Sequence, residues 1–271
     1  MATWVPGSIA GIGTQLGTIV VFGSQGASQA GFYFIAFSIV TGISTIMAVL
    51  SSIAYPALSA MDDGRKRLAW RMIKMNMIVG VPLSSAALFY SKQVMELFGR
   101  EYGNGAASLD ILLLSTLPTA ILSGVTSLVY AYGNYRRVLS IGLATNVLRT
   151  VLYFILVPIF NGGIGAAISY TVGALLGFVV SIVISKNIGM NILWKEVLFT
   201  LCVPTALSYA FATLGIHFVV GIVATLIISY LIFAKLQILD KADIEDIGGI
   251  LPTSIANPVN RIFNLLGRKS D

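Results

Sequence analysis

Between residues 4 and 235 the chain is a succession of apolar runs, each ended by a short polar turn. The runs are roughly 17 to 26 residues long, the length an α-helix needs to cross the hydrocarbon of a bilayer. Lipid offers no partner to open backbone amides and carbonyls, so such runs fold as helices or as a closed barrel. Barrel strands would alternate apolar and polar residues over about ten positions, and these runs do not. Only 10% of the residues are charged and the mean hydropathy is +0.88; a soluble domain carries about 25% charged residues. The fold class is therefore all-α, a polytopic helical membrane protein. Eight crossings are expected, at 4–23, 32–57, 70–90, 109–132, 138–159, 164–185, 197–214 and 217–235, with a polar tail at 236–271.

The net charge of +6 does not indicate a nucleic-acid partner, because the basic residues sit in turns such as DDGRKR (62–67), GNYRR (133–137) and SKNIGMNILWKE (185–196). That distribution is the one the positive-inside rule produces. With both termini cytoplasmic, fourteen of the seventeen Lys and Arg residues lie inside, Lys92 and Arg100 outside, and Arg149 within the membrane. A cell-membrane protein with both ends inside is expected, its basic loops meeting anionic membrane lipid. No basic n-region and cleavage site mark a removable signal peptide. In the tail, Val259, Ile262, Phe263 and Leu266 follow Asn257-Pro258 at helical spacing among Arg261, Arg268 and Lys269. This is either a short amphipathic helix for a membrane surface or a disordered tail.

Arg149 is the anomaly. It lies about eleven residues into its run, ~16 Å along a helix, which is close to half the ~30 Å hydrocarbon thickness. An unpaired cation there costs roughly 2.5 to 3.5 kcal/mol. Two readings stand: the guanidinium faces a polar path that attracts an anionic group, or it caps a neighbouring helix or snorkels to one surface. Asn146 and Tyr153, three residues before and four after, share its face. In the first run Gly7, Gly11, Gly13 and Gly17 surround Gln15; they form either a close-packing face or a bent helix beside a cavity. Pro118 is expected to kink the fourth helix, and small residues after NGGIG allow the fifth and sixth to approach closely.

No metal or cofactor is expected, and no enzyme. The sequence has no HExxH, CxxC, GxGxxG or GxxxxGK[ST] pattern, and its eleven carboxylates lie in loops, at helix ends or in the tail. Cys202, the single cysteine, reads as a packing residue, and His217, the single histidine, as an interfacial one.

Several segments together resemble the polysaccharide-export flippases, the O-antigen and lipid-linked oligosaccharide translocases of the multidrug/oligosaccharidyl-lipid/polysaccharide superfamily. They are AGFYFIAFSI (30–39), AYPALS (54–59), LFGREY (97–102), Gly133 before its basic turn, Asn146, Pro158 and GIGAA (163–167). The similarity covers about residues 4–235 and matches the C-terminal lobe of such proteins. It implies one of two lobes that rock around a central cavity, a lipid-linked sugar as substrate, and a partner N-terminal half-lobe. Arg149 is not part of the family pattern. On physical grounds it would attract the substrate phosphate, with Asn146, Tyr153 and Gln15 bonding sugar or phosphate oxygens. The alternatives are a multidrug cation antiporter of the same superfamily, which would favour an acidic cavity, and a non-transporting fragment or half-transporter subunit.

Overall fold

The computed structural model of the chain describes residues 4–61, 63–160, 162–236 and 238. Among them the order is α1 (Trp4–Ala60), α2 (Arg65–Phe89), α3 (Ser91–Glu96), a 3-10 turn (Arg100–Gly105), α4 (Ala106–Leu113), α5 (Thr116–Ala131), α6 (Tyr135–Ile159), α7 (Gly162–Ile188), α8 (Trp194–Thr213) and α9 (Phe218–Lys235). Among the described residues six helices are long and apolar enough to cross a membrane, or up to seven if the bent α4–α5 pair is one span. One of the turns expected from sequence is absent. The uncharged stretch expected as a loop at 23–31 is helical apart from Gly26, which holds φ 84° and ψ −178°, a backbone state open to glycine and few other residues.

That single residue makes α1 two helices. In a straight helix residues 17 and 33 would stand about 24 Å apart. Yet a Cβ placed on Gly17 would lie 2.8 Å from the Tyr33 hydroxyl, so the chain folds back at Gly26 and its two arms lie side by side. Gln25, at the corner, donates to the Phe160 carbonyl (3.1 Å) and ties the corner to the end of α6.

The ends of the bundle sort by charge. At one end Arg65 donates from Nη1 to the Ala131 carbonyl (3.3 Å) and covers the Tyr132 ring at 5.5 Å. Lys66 reaches the Gly189 turn there, its Nζ 3.2 Å from where a Cβ would stand. The start of α2, the α5–α6 turn and the α7–α8 loop thus share one basic end. At the other end Tyr90 donates to the Ile216 carbonyl (3.3 Å) and Phe32 packs edge-on against Tyr102.

The kink expected from Pro118 is the 42° bend between α4 and α5. Proline has no N–H, and its ring crowds the carbonyl four residues back, here that of Leu114, which lies in the break. The Ser115 amide turns to Leu112, and the Ile111 carbonyl it leaves accepts from Thr171 Oγ1 at 2.8 Å. A neighbouring helix has re-satisfied a backbone group that lipid could not.

The α6–α7 pair is the tightest seam. Gly165, Ser169, Gly173 and Gly177 recur every fourth residue along one face of α7. A Cβ on Gly165 would run into the Leu156 carbonyl, and one on Gly173 would lie 2.7 Å from the Thr145 carbonyl. Small residues at this spacing let membrane helices meet backbone to backbone. By contrast α8 and α9 pack on each other and on α2, where Ile78, Phe233 and Ile238 form a small separate cluster.

Candidate functional site

The sequence pattern of α6 translates directly into two faces. Asn146, Arg149 and Tyr153 are buried together with Val138, Ile141 and Val157. Leu139, Leu143, Val147, Val151, Phe154 and Ile155 are exposed. The helix is polar inward and apolar outward, the arrangement expected of a helix whose outer face meets lipid and whose ionisable group faces the bundle.

Arg149 is 5% exposed. Its guanidinium carbon sits 4.0 Å from the centre of the Tyr170 ring on α7. Nη1 donates to Asn146 Oδ1 at 3.4 Å, and Asn146 in turn donates to the Gly142 carbonyl at 3.0 Å. Gly173 makes room for this packing, since a Cβ there would stand 2.8 Å from the arginine's own Cβ and 3.2 Å from its Nε. Among the described residues no carboxylate pairs with Arg149. A desolvated cation–π contact is worth about 2 kcal/mol and a hydrogen bond from a charged donor about 1.5 kcal/mol or more. Together they offset the roughly 2.5 to 3.5 kcal/mol of placing the charge at this depth. Arg149 is thus stable in the seam without an anion.

Among the described residues Arg149 Nε nevertheless has no hydrogen-bond partner, and the hydroxyls of Tyr33 and Tyr153 have none except each other. Tyr33, on the second arm of α1, and Tyr153 are both fully buried. Both hydroxyls press on Gly17 of the first arm, at 2.8 and 3.1 Å from a Cβ built there. Tyr33 stacks on Phe37, which meets Tyr170 edge-on, so an aromatic layer joins α1 to the arginine. The cluster therefore presents two hydroxyls and a charged N–H donor in one buried place, a set suited to oxyanion oxygens.

Of the four residues expected from sequence, Asn146, Arg149 and Tyr153 come together and Gln15 does not. Gln15 is exposed, because two residues along a helix is a turn of about 200° away from the Gly17 face. Tyr33, Tyr170, Gly17 and Gly173 join the cluster without having been expected there. Cys202 also differs from its sequence reading. It is exposed and lines a groove of about 740 Å³ between α2, the α4–α5 bend, α7 and α8, walled by Leu88, Phe89, Leu114, Leu117 and Phe178 among others. His217 is exposed and lies beside Phe218 at the start of α9. The expected amphipathic helix at 257–269 lies outside the described residues.

This architecture is an all-helical bundle with helices long and apolar enough to cross a membrane, and its fold is that of a solved flippase. A solved structure titled "Lipid II flippase MurJ, inward closed conformation" is similar at a TM-score of 0.72 and 14% sequence identity, with 83% of this chain and 51% of that one covered. The chain thus spans about half the length of the solved flippase it matches. No protein-family model and no curated protein matches the chain. The likeness shows a flippase-type fold alone and does not support the O-antigen type in particular.

Proposed function

We propose that this chain is one lobe of a flippase that moves a lipid-linked sugar across the cell membrane by alternating access. Two lobes would rock about a cavity between them. The chain would cross the bilayer eight times, the two arms of α1 and the bent α4–α5 pair included, with both termini on the basic, cytoplasmic side. A second lobe, on the same or another polypeptide, would supply the facing wall.

The observation that carries this reading is the Arg149 cluster. A guanidinium without a carboxylate partner among the described residues keeps an unbonded Nε beside two phenol hydroxyls whose one partner there is each other, in a lobe with the fold of a flippase. A phosphate or pyrophosphate entering this cluster as helices part would take up those donors through charge-assisted bonds, strong where water is scarce. The apolar groove beside the α4–α5 bend offers a surface of the right chemistry for an isoprenoid tail.

The test is to reconstitute the chain with its complementary lobe in liposomes and score flipping of an isoprenoid pyrophosphate sugar. Arg149→Leu is expected to abolish flipping while leaving the protein folded. Wild-type flipping by that variant removes the phosphate role of Arg149, and no flipping of any lipid-linked sugar by the wild-type pair removes the transport reading.

A further inference from the structure

The α8–α9 hairpin brings the start of one helix beside the end of the other, and a groove of about 600 Å³ lies there. Leu193, Trp194, Phe199, Leu236 and Ile238 line it. All but Ile238 are exposed on the outside of the bundle. Helix α8 begins at Trp194 and α9 stops at Lys235, so the groove opens where both crossings meet the membrane surface. A tryptophan at that depth is at home among lipid headgroups. The apolar lining suits an acyl chain, and on those residues alone any lipid would serve.

Two charges narrow the choice. Lys195 and Glu196, neighbours in the first turn of α8, also line the groove. Lys195 is exposed and Glu196 half-buried. Among the described residues neither is in an ion pair, and Glu196 Oε2 is buried with no hydrogen-bond partner. An acidic residue in a first helical turn ordinarily answers the helix dipole. In a capping box it would also accept from the amide of the N-cap residue. Here the N-cap is Leu193, with no side-chain cap bond, and Oε2 accepts from nothing. A carboxylate half withdrawn from water beside an apolar groove is costly unless a donor reaches it. A lone lysine would recruit anionic lipid, but a carboxylate next to it repels one.

We propose that this groove binds an aminophospholipid, phosphatidylethanolamine. The lipid phosphate meets the Lys195 ammonium, the lipid ammonium meets the Glu196 carboxylate, and an acyl chain lies along Trp194, Phe199 and Leu236. The headgroup carries its opposite charges a two-carbon bridge apart, which suits opposite charges on adjacent residues. A primary ammonium has three N–H donors. Choline, methylated at nitrogen, has none, and phosphoglycerol has no cation. Only ethanolamine can therefore give Glu196 a charge-assisted hydrogen bond, strengthened where the groove is poor in water. The bound lipid would clip the start of α8 to the end of α9. This inference rests on the chain's crossing a membrane, stands apart from the transport reading and uses none of its residues.

The experiment is native mass spectrometry of the full chain, released from detergent micelles that hold phosphatidylethanolamine, phosphatidylcholine and phosphatidylglycerol in equal amounts with identical acyl chains. The first lipid retained should be phosphatidylethanolamine, preferred about tenfold over phosphatidylcholine, the lower end of what a hydrogen bond to a charged group contributes. Glu196→Gln, which keeps the shape and loses the charge, should remove most of that preference. Lys195→Ala should weaken phosphatidylethanolamine and phosphatidylcholine by the same factor. Glu196→Lys should turn the preference to phosphatidylglycerol, a gain that a misfolded variant would not show. Equal retention of phosphatidylethanolamine and phosphatidylcholine by the wild type overturns the proposal, as does a preference that Glu196→Gln leaves whole. So does a wild-type preference for phosphatidylglycerol, which would assign the groove to anionic lipid held by Lys195.

Discussion

The α6–α7 seam and the α8–α9 hairpin are both built from small and hydroxyl residues, yet they are held differently. In the seam, Gly165, Gly173 and Gly177 bring two backbones together, and a charged side chain is accommodated by a ring, an amide and an absent Cβ. In the hairpin, Ser208, Thr225 and Ser229 are fully buried with no hydrogen-bond partner for their hydroxyls among the described residues, and no charged residue intervenes between Glu196 and Lys235. The seam is specified by shape and by particular partners. The hairpin is specified mainly by being apolar, which leaves it more tolerant of change. A region that holds a charge in lipid needs its neighbours named one by one, and a region that holds none does not.

The largest effect expected is at Gly165. Its Cβ would meet the Leu156 carbonyl, which belongs to helix backbone and has nowhere to go. Gly165→Ala should cost about 3 kcal/mol, the upper range of overpacking, read as a large fall in the thermal midpoint in detergent. A variant as stable as wild type would break the contrast with the hairpin. Next comes Tyr170→Leu, which strips Arg149 of its ring and should cost about 2 kcal/mol. That cost should largely vanish in an Arg149→Leu background, where no cation remains to be supported. Additive effects in this double-mutant cycle would show that the ring and the guanidinium act independently.

Arg149→Leu alone should change stability by less than Tyr170→Leu does, because replacing a buried charge by an apolar side chain of similar volume is often neutral or favourable. The smallest effects belong to the hairpin. Ser208→Ala, Thr225→Val and Ser229→Ala each remove a hydroxyl without a hydrogen-bond partner among the described residues, so each should shift stability by no more than about 0.6 kcal/mol in either direction. A loss of 2 kcal/mol at any of the three would mean the hairpin is as closely specified as the seam.

These contrasts also mark how far the sequence could be read. Run length and charge placement set the helices and their polar turns, because lipid punishes any other arrangement. Helical spacing found the buried face of α6 and joined Asn146, Arg149 and Tyr153 correctly. Spacing describes one helix at a time, however, and says nothing of which neighbour that face will meet. Tyr33 reaches the cluster only because the chain reverses at Gly26, and one glycine among the several between residues 23 and 31 does not announce a hairpin. Tyr170 is supplied by α7, whose small-residue face decides how near it comes. Gln15 lies apart from the cluster, since its neighbour Gly17 owns the inward face and Gln15 is exposed. Cys202 looked like packing because its surroundings are apolar, and the apolar surroundings turn out to be the wall of a groove.

The central claim is that Arg149 and the hydroxyls beside it form an anion-recognising centre inside this lobe. It is tested most directly by the thermal shift that an isoprenoid pyrophosphate lipid gives to the purified chain, set beside the shift given by the uncharged isoprenoid alcohol. The account predicts that the pyrophosphate lipid stabilises the wild-type chain beyond the alcohol and that Arg149→Leu erases the difference. Equal stabilisation by the two lipids in the wild type, or a difference that survives Arg149→Leu, would contradict it.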